Sequence, residues 1–258
     1  MSTCVHYQVS ERIAEITLDR PEKRNALNPQ LIAELSAAFK QAETDQEVKV
    51  IVLKAKGEVF SAGADLAYLQ QLQKNTFKEN LADSQTLRML YEQIRHLPKV
   101  VIAQLEGHAI AGGCGLACIC DIIFAVPEAK LGYTEVKLGF LPAIVSCYLQ
   151  LKIGESATKH LLLSGELISA EEALQYKMIN FVTAADKIGQ TVRNYALNLC
   201  NQTSAGSMAA TKKLLNQYQD NWLNTCLDHA VLANAKIRES DDFKRGIAAF
   251  LNKEKINW

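Results

Sequence analysis

The stretch Gly107-His108-Ala109-Ile110-Ala111-Gly112-Gly113-Cys114-Gly115-Leu116-Ala117, then Asp121-Ile122-Ile123-Phe124-Ala125 and Tyr133-Thr134-Glu135, decides how this chain is read. Its glycines make a tight turn in which only small residues fit, and the apolar residues behind them start a helix. The first amides of such a helix lack internal partners and carry the positive end of its dipole, so they face any negative charge held in front of the turn. Residues 122–125 form an apolar run suited to a buried strand. Glu135 lies between Thr134 and Val136, close to Tyr133. A carboxyl group half-buried in that way has a raised pKa and exchanges protons near neutrality.

The flanking sequence predicts an α/β frame around this block. Residues 5–9 and 13–18 alternate as paired strands, and Pro21 ends the second. Asn28-Pro29 reads as a helix N-cap with proline in the first turn, and Leu31, Leu35, Ala38, Phe39 and Ala42 recur behind it at helical spacing. Residues 48–54 and 100–105 are further strand-like runs rich in valine and isoleucine. Strands that alternate with helices require crossover connections. From about Gly154 the pattern becomes mostly helical, with a capping box at Ser169-Ala170-Glu171-Glu172 and helices expected over 187–201, 204–218 and 222–238. The change of character suggests a core over residues 1–190 that carries the active site and a helical region over 191–258.

Leu18-Asp19-Arg20-Pro21-Glu22-Lys23-Arg24-Asn25-Ala26-Leu27-Asn28, Phe60-Ser61-Ala62-Gly63-Ala64-Asp65-Leu66, the central glycine block, residues 168–173 and residues 243–250 occur in a fixed order. Together they resemble the enoyl-CoA hydratase/isomerase (crotonase) family. The resemblance implies a spiral of ββα turns with a helical C-terminal trimerisation region, assembled as trimers or pairs of trimers. It also implies an acyl-CoA thioester as substrate. Coenzyme A then arrives as part of the substrate, with no separate cofactor and no metal. By resemblance, the backbone N–H groups of Ala64 and Gly112 form an oxyanion hole and Glu135 is the catalytic acid–base. Ala62, Gly63, Leu66, Gly113 and Gly115 are expected to line the substrate. Lys23, Arg24, Ala26, Phe250 and Lys253 are expected near the CoA moiety, Lys253 reaching from a neighbouring subunit and Phe250 covering the ligand or packing the trimer.

One position departs from the family pattern. Hydratases carry a first glutamate two residues after the glycine pair, where this chain has Gly115. Glu135 alone suits migration of a double bond from a 3-enoyl to a 2-enoyl thioester. Hydration is also open, with water held by Glu135 and another polar group such as Ser146, and so is decarboxylation or another enolate reaction. The segment Leu138-Gly139-Phe140-Leu141-Pro142-Ala143-Ile144-Val145-Ser146 resembles a bacterial branch associated with methylglutaconyl-CoA and related branched, carboxylated thioesters of leucine or isoprenoid breakdown. The missing side chain at 115 is expected to leave room and remove a negative charge, both useful to such a substrate. The leading expectation is a lyase that adds water to a 2-enoyl-CoA. The alternatives are a Δ3-Δ2-enoyl-CoA isomerase and a catalytically silent CoA-binding scaffold, which Gly115 supports and Glu135 opposes.

Bulk properties fit this reading. Lys plus Arg equals Asp plus Glu at 28 each, which gives no basic surface for nucleic acid. Seven scattered cysteines lack zinc-site spacing and read as reduced core thiols. No secretory leader or membrane-spanning run is evident, so a cytoplasmic location is the expectation. Asp65 reads as a helix cap, Asp121 as structural, and His108 as a residue that could touch substrate.

Overall fold

The computed structural model describes residues 3–258, with Leu66 described through its backbone alone. The chain opens with β1 (Val5–Ser10) and β2 (Ile13–Leu18), an antiparallel pair in the register Val5 opposite Leu18. Helix α1 (Pro29–Thr44) begins as the sequence predicts, with the Asn28 side chain accepting from the Leu31 amide at 2.8 Å. The spiral follows: β3 (Val50–Ala55) and β4 (Val59–Ser61) lead into α2 (Leu66–Leu72) and α3 (Phe77–His96). Then β5 (Val100–Leu105) and β6 (His108–Ile110) lead into α4 (Gly112–Cys118), and β7 (Ile122–Ala125) and β8 (Lys130–Gly132) lead into α5 (Ala143–Ser164). Next come β9 (Leu167–Ser169), α6 (Ala170–Gln175), β10 (Phe181–Val182), α7 (Ile188–Gln202), α8 (Ala205–Ile237) and α9 (Asp241–Asn252).

In these ββα turns the first strand enters one sheet and the second enters another. The larger sheet has the order β1-β2-β3-β5-β7-β10 and the smaller β4-β6-β8-β9. From β2 onward the larger sheet is parallel, with Ile13 beside Val50, Val50 beside Val100, and Ile102 beside Ile122. Parallel strands are covered on both faces, which is why Val50-Ile51-Val52-Leu53 is a continuous buried run. The arrangement is the expected α/β spiral with a helical C-terminal region.

Helix α8 corrects one expectation. It runs unbroken for 33 residues, where separate helices over 204–218 and 222–238 are expected from the sequence. No proline or glycine stops it there, and Arg95 reaches Asp220 at 3.6 Å from α3. Leu223, Leu227, Ala230 and Val231 in its second half are buried. The Ser169 capping box forms as expected, with Glu172 returning to the Ser169 amide.

Helix α9 forms a small second core. Phe243 and Ile247 are fully buried against Leu69 and Leu72 of α2, with Leu138 and Phe140 packed beside them. Gly246 makes this approach possible, since a Cβ there would stand 2.2 Å from the Leu138 carbonyl oxygen. Among the described residues no helix is long and apolar enough to cross a membrane.

Candidate active site

A cavity of about 1180 Å³ opens between the central spiral and the α2/α9 wall. That volume is above the usual range for a drug-sized ligand and suits an extended one. The loop after β4 and the turn before α4 meet on one side of it. Leu27 donates to the Gly63 carbonyl at 2.6 Å and accepts from the Asp65 amide at 2.9 Å. Ala64 is thereby held in a parallel bridge with Leu27, and its own N–H and C=O point the other way. Ala64 is exposed and lines the cavity.

Gly63 sits in the left-handed region at φ 86, and a Cβ on it would stand 2.9 Å from Ala111 Cβ and 3.7 Å from the Gly112 nitrogen. A glycine is therefore what lets the loops touch. Gly112 is the first residue of α4, so its amide has no intrahelical acceptor. Among the described residues neither the Ala64 nor the Gly112 N–H donates to a backbone or side-chain acceptor. Ala111 precedes it at φ 52 and ψ −127, a conformation strained for a residue with a Cβ. Its amide bonds the Gly132 carbonyl at 2.8 Å, which ties the strained residue to β8.

Glu135 heads a short 3-10 turn, Glu135–Leu138, that Gly139 ends at φ 63. Its carbonyl accepts from the Phe140 amide at 3.0 Å. The carboxyl lines the cavity and is 7% exposed, with Oε2 left without a hydrogen-bond partner. Burial pushes its pKa up to about 7, only partly opposed by its own backbone N–H, and no cation counters the shift. A group poised there accepts or gives a proton at neutral pH.

Position 115 is different from its expectation. Gly115 is buried and does not line the cavity. A Cβ on it would stand 2.4 Å from Val145 Cγ1 and 2.8 Å from the Tyr91 hydroxyl. The room predicted for substrate is filled by side chains from α3 and α5, although the absence of a negative charge stands. Gly113 likewise lies behind the cavity, where a Cβ would strike Ser61 at 2.5 Å. Ala62 lines the cavity, whereas Gly63 shapes it from behind. The Leu66 side chain lies outside the described residues.

Lys23, Arg24 and Ala26 border the cavity at the N-terminal signature, the two cations being exposed. Phe250 and Lys253 border it too, but from this chain's own α9 and its C-cap. The α2/α9 core folds the C-terminal segment over its own cavity, so Lys253 borders the cavity of its own chain. His108 does not line the cavity; its Nδ1 accepts from the Lys130 amide at 3.1 Å. Ser146 donates back to the Ala143 carbonyl at 2.6 Å and is no partner for Glu135. Asp65 caps α2 and pairs with Arg20 at 2.6 Å, while Asp121 pairs with Lys212 at 2.7 Å. Cys114, Cys118, Cys120, Cys147, Cys200 and Cys226 are free thiols, and among the described residues no cluster could hold a metal ion.

The sequence did not point to a polar group on another wall. Arg238, 6% exposed, binds Asp83 at 2.6 Å and Asn234 at 2.7 Å, and its guanidinium lies 5.8 Å from the Phe140 ring centre. Tyr68 donates its hydroxyl to the other Asp83 oxygen. All five residues line the cavity.

A sequence model of the enoyl-CoA hydratase/isomerase family matches residues 8–258. A relative from Thermus thermophilus, provisionally named an enoyl-CoA hydratase, is 39% identical over 93% of this chain and 95% of its own. The 2,3-dehydroadipyl-CoA hydratase of Escherichia coli is 31% identical over 94% of this chain and 93% of its own. The crystal structure of an enoyl-CoA hydratase/isomerase from Xanthobacter autotrophicus Py2 superposes with a TM-score of 0.91 at 27% identity, covering 98% of this chain and 94% of that one.

Proposed function

The chain belongs to the enoyl-CoA hydratase/isomerase family as an enzyme acting on acyl-CoA thioesters, and from that premise we propose that it adds water to a 2-enoyl-CoA. The observation that carries this reading is the buried Glu135 carboxyl, its Oε2 unpartnered, in the cavity that also receives the free amides of Ala64 and Gly112.

The Glu135 carboxylate takes a proton from water as the water oxygen bonds to Cβ. The alkene electron pair moves to Cα and the thioester carbonyl, whose oxygen becomes negative between the Ala64 and Gly112 N–H groups. Such donors act where charge develops and need no reorganisation. The enolate then takes the same proton from Glu135 at Cα. One C=C bond is lost, a C–O and a C–H bond form, and 3-hydroxyacyl-CoA leaves with no change of redox state. One carboxyl suffices if it serves as base and then as acid. Lys23 and Arg24, with Lys253 and Phe250 from α9, meet the CoA end, so CoA enters as substrate and no further cofactor is invoked.

For the acyl end, the same reading assigns a branched or carboxylated group of the methylglutaconyl type. Position 115 presents no carboxylate to repel it, and Arg238, Asn234 and Tyr68 offer polar contacts in an otherwise apolar wall. Asp83 neutralises Arg238 and accepts the Tyr68 hydroxyl, so this wall is polar without net positive charge. The E. coli relative and an (E)-benzylidenesuccinyl-CoA hydratase of Thauera aromatica, 31% identical, bear names of thioesters that keep a second carboxyl group. Leu214, Leu215, Tyr218 and Trp222 along α8 leave an exposed apolar face, which supports assembly as a homo-oligomer.

The test is a panel of straight, branched and carboxylated 2-enoyl- and 3-enoyl-CoAs in ¹⁸O-water. Incorporation of ¹⁸O at C3, fastest with a branched or carboxylated acyl group, is expected. Double-bond migration without ¹⁸O uptake would replace hydration by isomerisation, and a preference for the plain straight chain would remove the acyl assignment.

A further inference from the structure

We propose that Tyr91 is a positioning residue of this site, holding the Gly112 end of the amide pair from the ground a side chain at 115 would take, a proposal that rests on the reading of Ala64 and Gly112 as oxyanion donors. Tyr91 is fully buried on α3 and does not line the cavity. Its hydroxyl donates to the Gly112 carbonyl at 2.7 Å. Its ring packs edge-on against Tyr148, with centroids 5.7 Å apart. A Cβ on Gly115 would stand 2.8 Å from this hydroxyl and 3.3 Å from ring atom Cε2. The hydroxyl therefore reaches both Gly112 and the space over Gly115. A tyrosine in this pose and a side chain at 115 exclude each other.

The pair has a mechanical consequence. Gly112 has no side chain of its own to fix the first turn of α4; its N–H belongs to the Ala111–Gly112 peptide, whose carbonyl takes the Gly115 amide at 3.0 Å, while its carbonyl belongs to the next peptide. The Tyr91 hydroxyl supplies the missing lateral tie. Burial first, and the nearby Glu135 carboxyl second, hold the phenol pKa well above its ordinary value, so the hydroxyl remains a neutral donor. The structure thus assigns Gly115 as one half of a steric pair: its bareness admits the hydroxyl that fixes the Gly112 carbonyl, the peptide next to the oxyanion amide.

Tyr91→Phe removes only that hydroxyl. Turnover should fall by about 10–10²-fold with KM unchanged, the signature of an interaction made in the transition state. The red shift of bound cinnamoyl-CoA, which reports polarisation of the thioester carbonyl, should shrink in parallel. Gly115→Ala combined with Val145→Ala removes the Val145 clash and drives a methyl group toward the hydroxyl. It should show the same losses, and adding Tyr91→Phe should cost nothing more, because both changes act through one contact. Unchanged turnover and red shift in Tyr91→Phe, or additive losses in the combined variant, would overturn the proposal. If Tyr91→Phe does not fold, an undiminished red shift in Gly115→Ala/Val145→Ala overturns it alone. A wild-type protein that fails to hydrate but shows a Tyr91-dependent red shift would remove the hydration reading and leave the positioning assignment standing.

Discussion

Positions 115 and 135 are where the family pattern places carboxylates, and the fold treats them in opposite ways. At 115 there is no side chain and no space for one, because Tyr91 and Val145 occupy the volume. At 135 there is a buried carboxyl with one oxygen unpartnered, raised to about pKa 7 by desolvation. The first position is therefore closed by packing, and its glycine is no simple deletion. The second is left open at an electrostatic cost to the fold. A single ionisable group is kept where its proton affinity matches neutral pH, and the neighbouring ground is given to rigid apolar and hydroxyl packing.

The contrast is broken most severely at Glu135. Glu135→Gln should fold and bind acyl-CoA but lose about 10²–10⁴-fold in turnover, the usual worth of a positioned acid–base. Steady-state assays with a binding control check this, and an unaffected rate would remove Glu135 from the mechanism. Ala64→Pro deletes one of the amides that face the cavity, and about 10²–10³-fold of activity should go with it. Circular dichroism must show the variant folded; full activity in that state would place the oxyanion site elsewhere.

The same substitution at 135 should have a second, opposite effect on stability. The folded-state pKa of Glu135 is raised from 4.5 to about 7, so the native state holds the proton more tightly than the unfolded chain. The native state is therefore favoured fully below pH 4.5, and this advantage is lost as pH rises to about 7. At 1.36 kcal/mol per unit the loss is about 3 kcal/mol. Glu135→Gln carries no charge, so relative to wild type it should gain about 3 kcal/mol in urea denaturation at pH 8 and almost nothing near pH 4. A pH-independent difference would show that Glu135 is solvated in solution. Gly115→Glu attacks the closed position. It should destabilise by about 1–3 kcal/mol through overpacking, with no gain in hydration. A thermal midpoint equal to wild type, with raised turnover of crotonyl-CoA, would mean the ground at 115 yields easily.

The parts of this site visible in the sequence are those made from local segments. The loop around Ala64, the glycine turn and Glu135 are short segments of small residues or a carboxyl in an apolar setting, and it is their fixed order along the chain that resembles the family. The strands were legible for a similar reason, since runs such as residues 50–53 are buried on both faces. Tyr91 carries no local signal. It is one apolar-facing residue on a long helix, and its importance comes from meeting Gly112, 21 residues away. Arg238 and Asp83 are 155 residues apart and would each pass for a surface charge. The filled space at 115 is invisible locally because the side chains that occupy it come from α3 and α5. The sequence places separate helices over 204–218 and 222–238, but nothing in the backbone chemistry of residues 219–221 stops a helix, and α8 runs through them.

The most direct test of a single-carboxyl mechanism is the pH dependence of kcat/KM for a 2-enoyl-CoA substrate. Glu135 must start as the carboxylate, so the rate should fall as pH drops below the midpoint. One acid limb is expected, with a midpoint near pH 7, tenfold loss per unit below it and a plateau above it. A limb with its midpoint near 4.5, or one that falls by a hundredfold per unit, would contradict it by showing a solvated carboxyl or a second ionising group in the site.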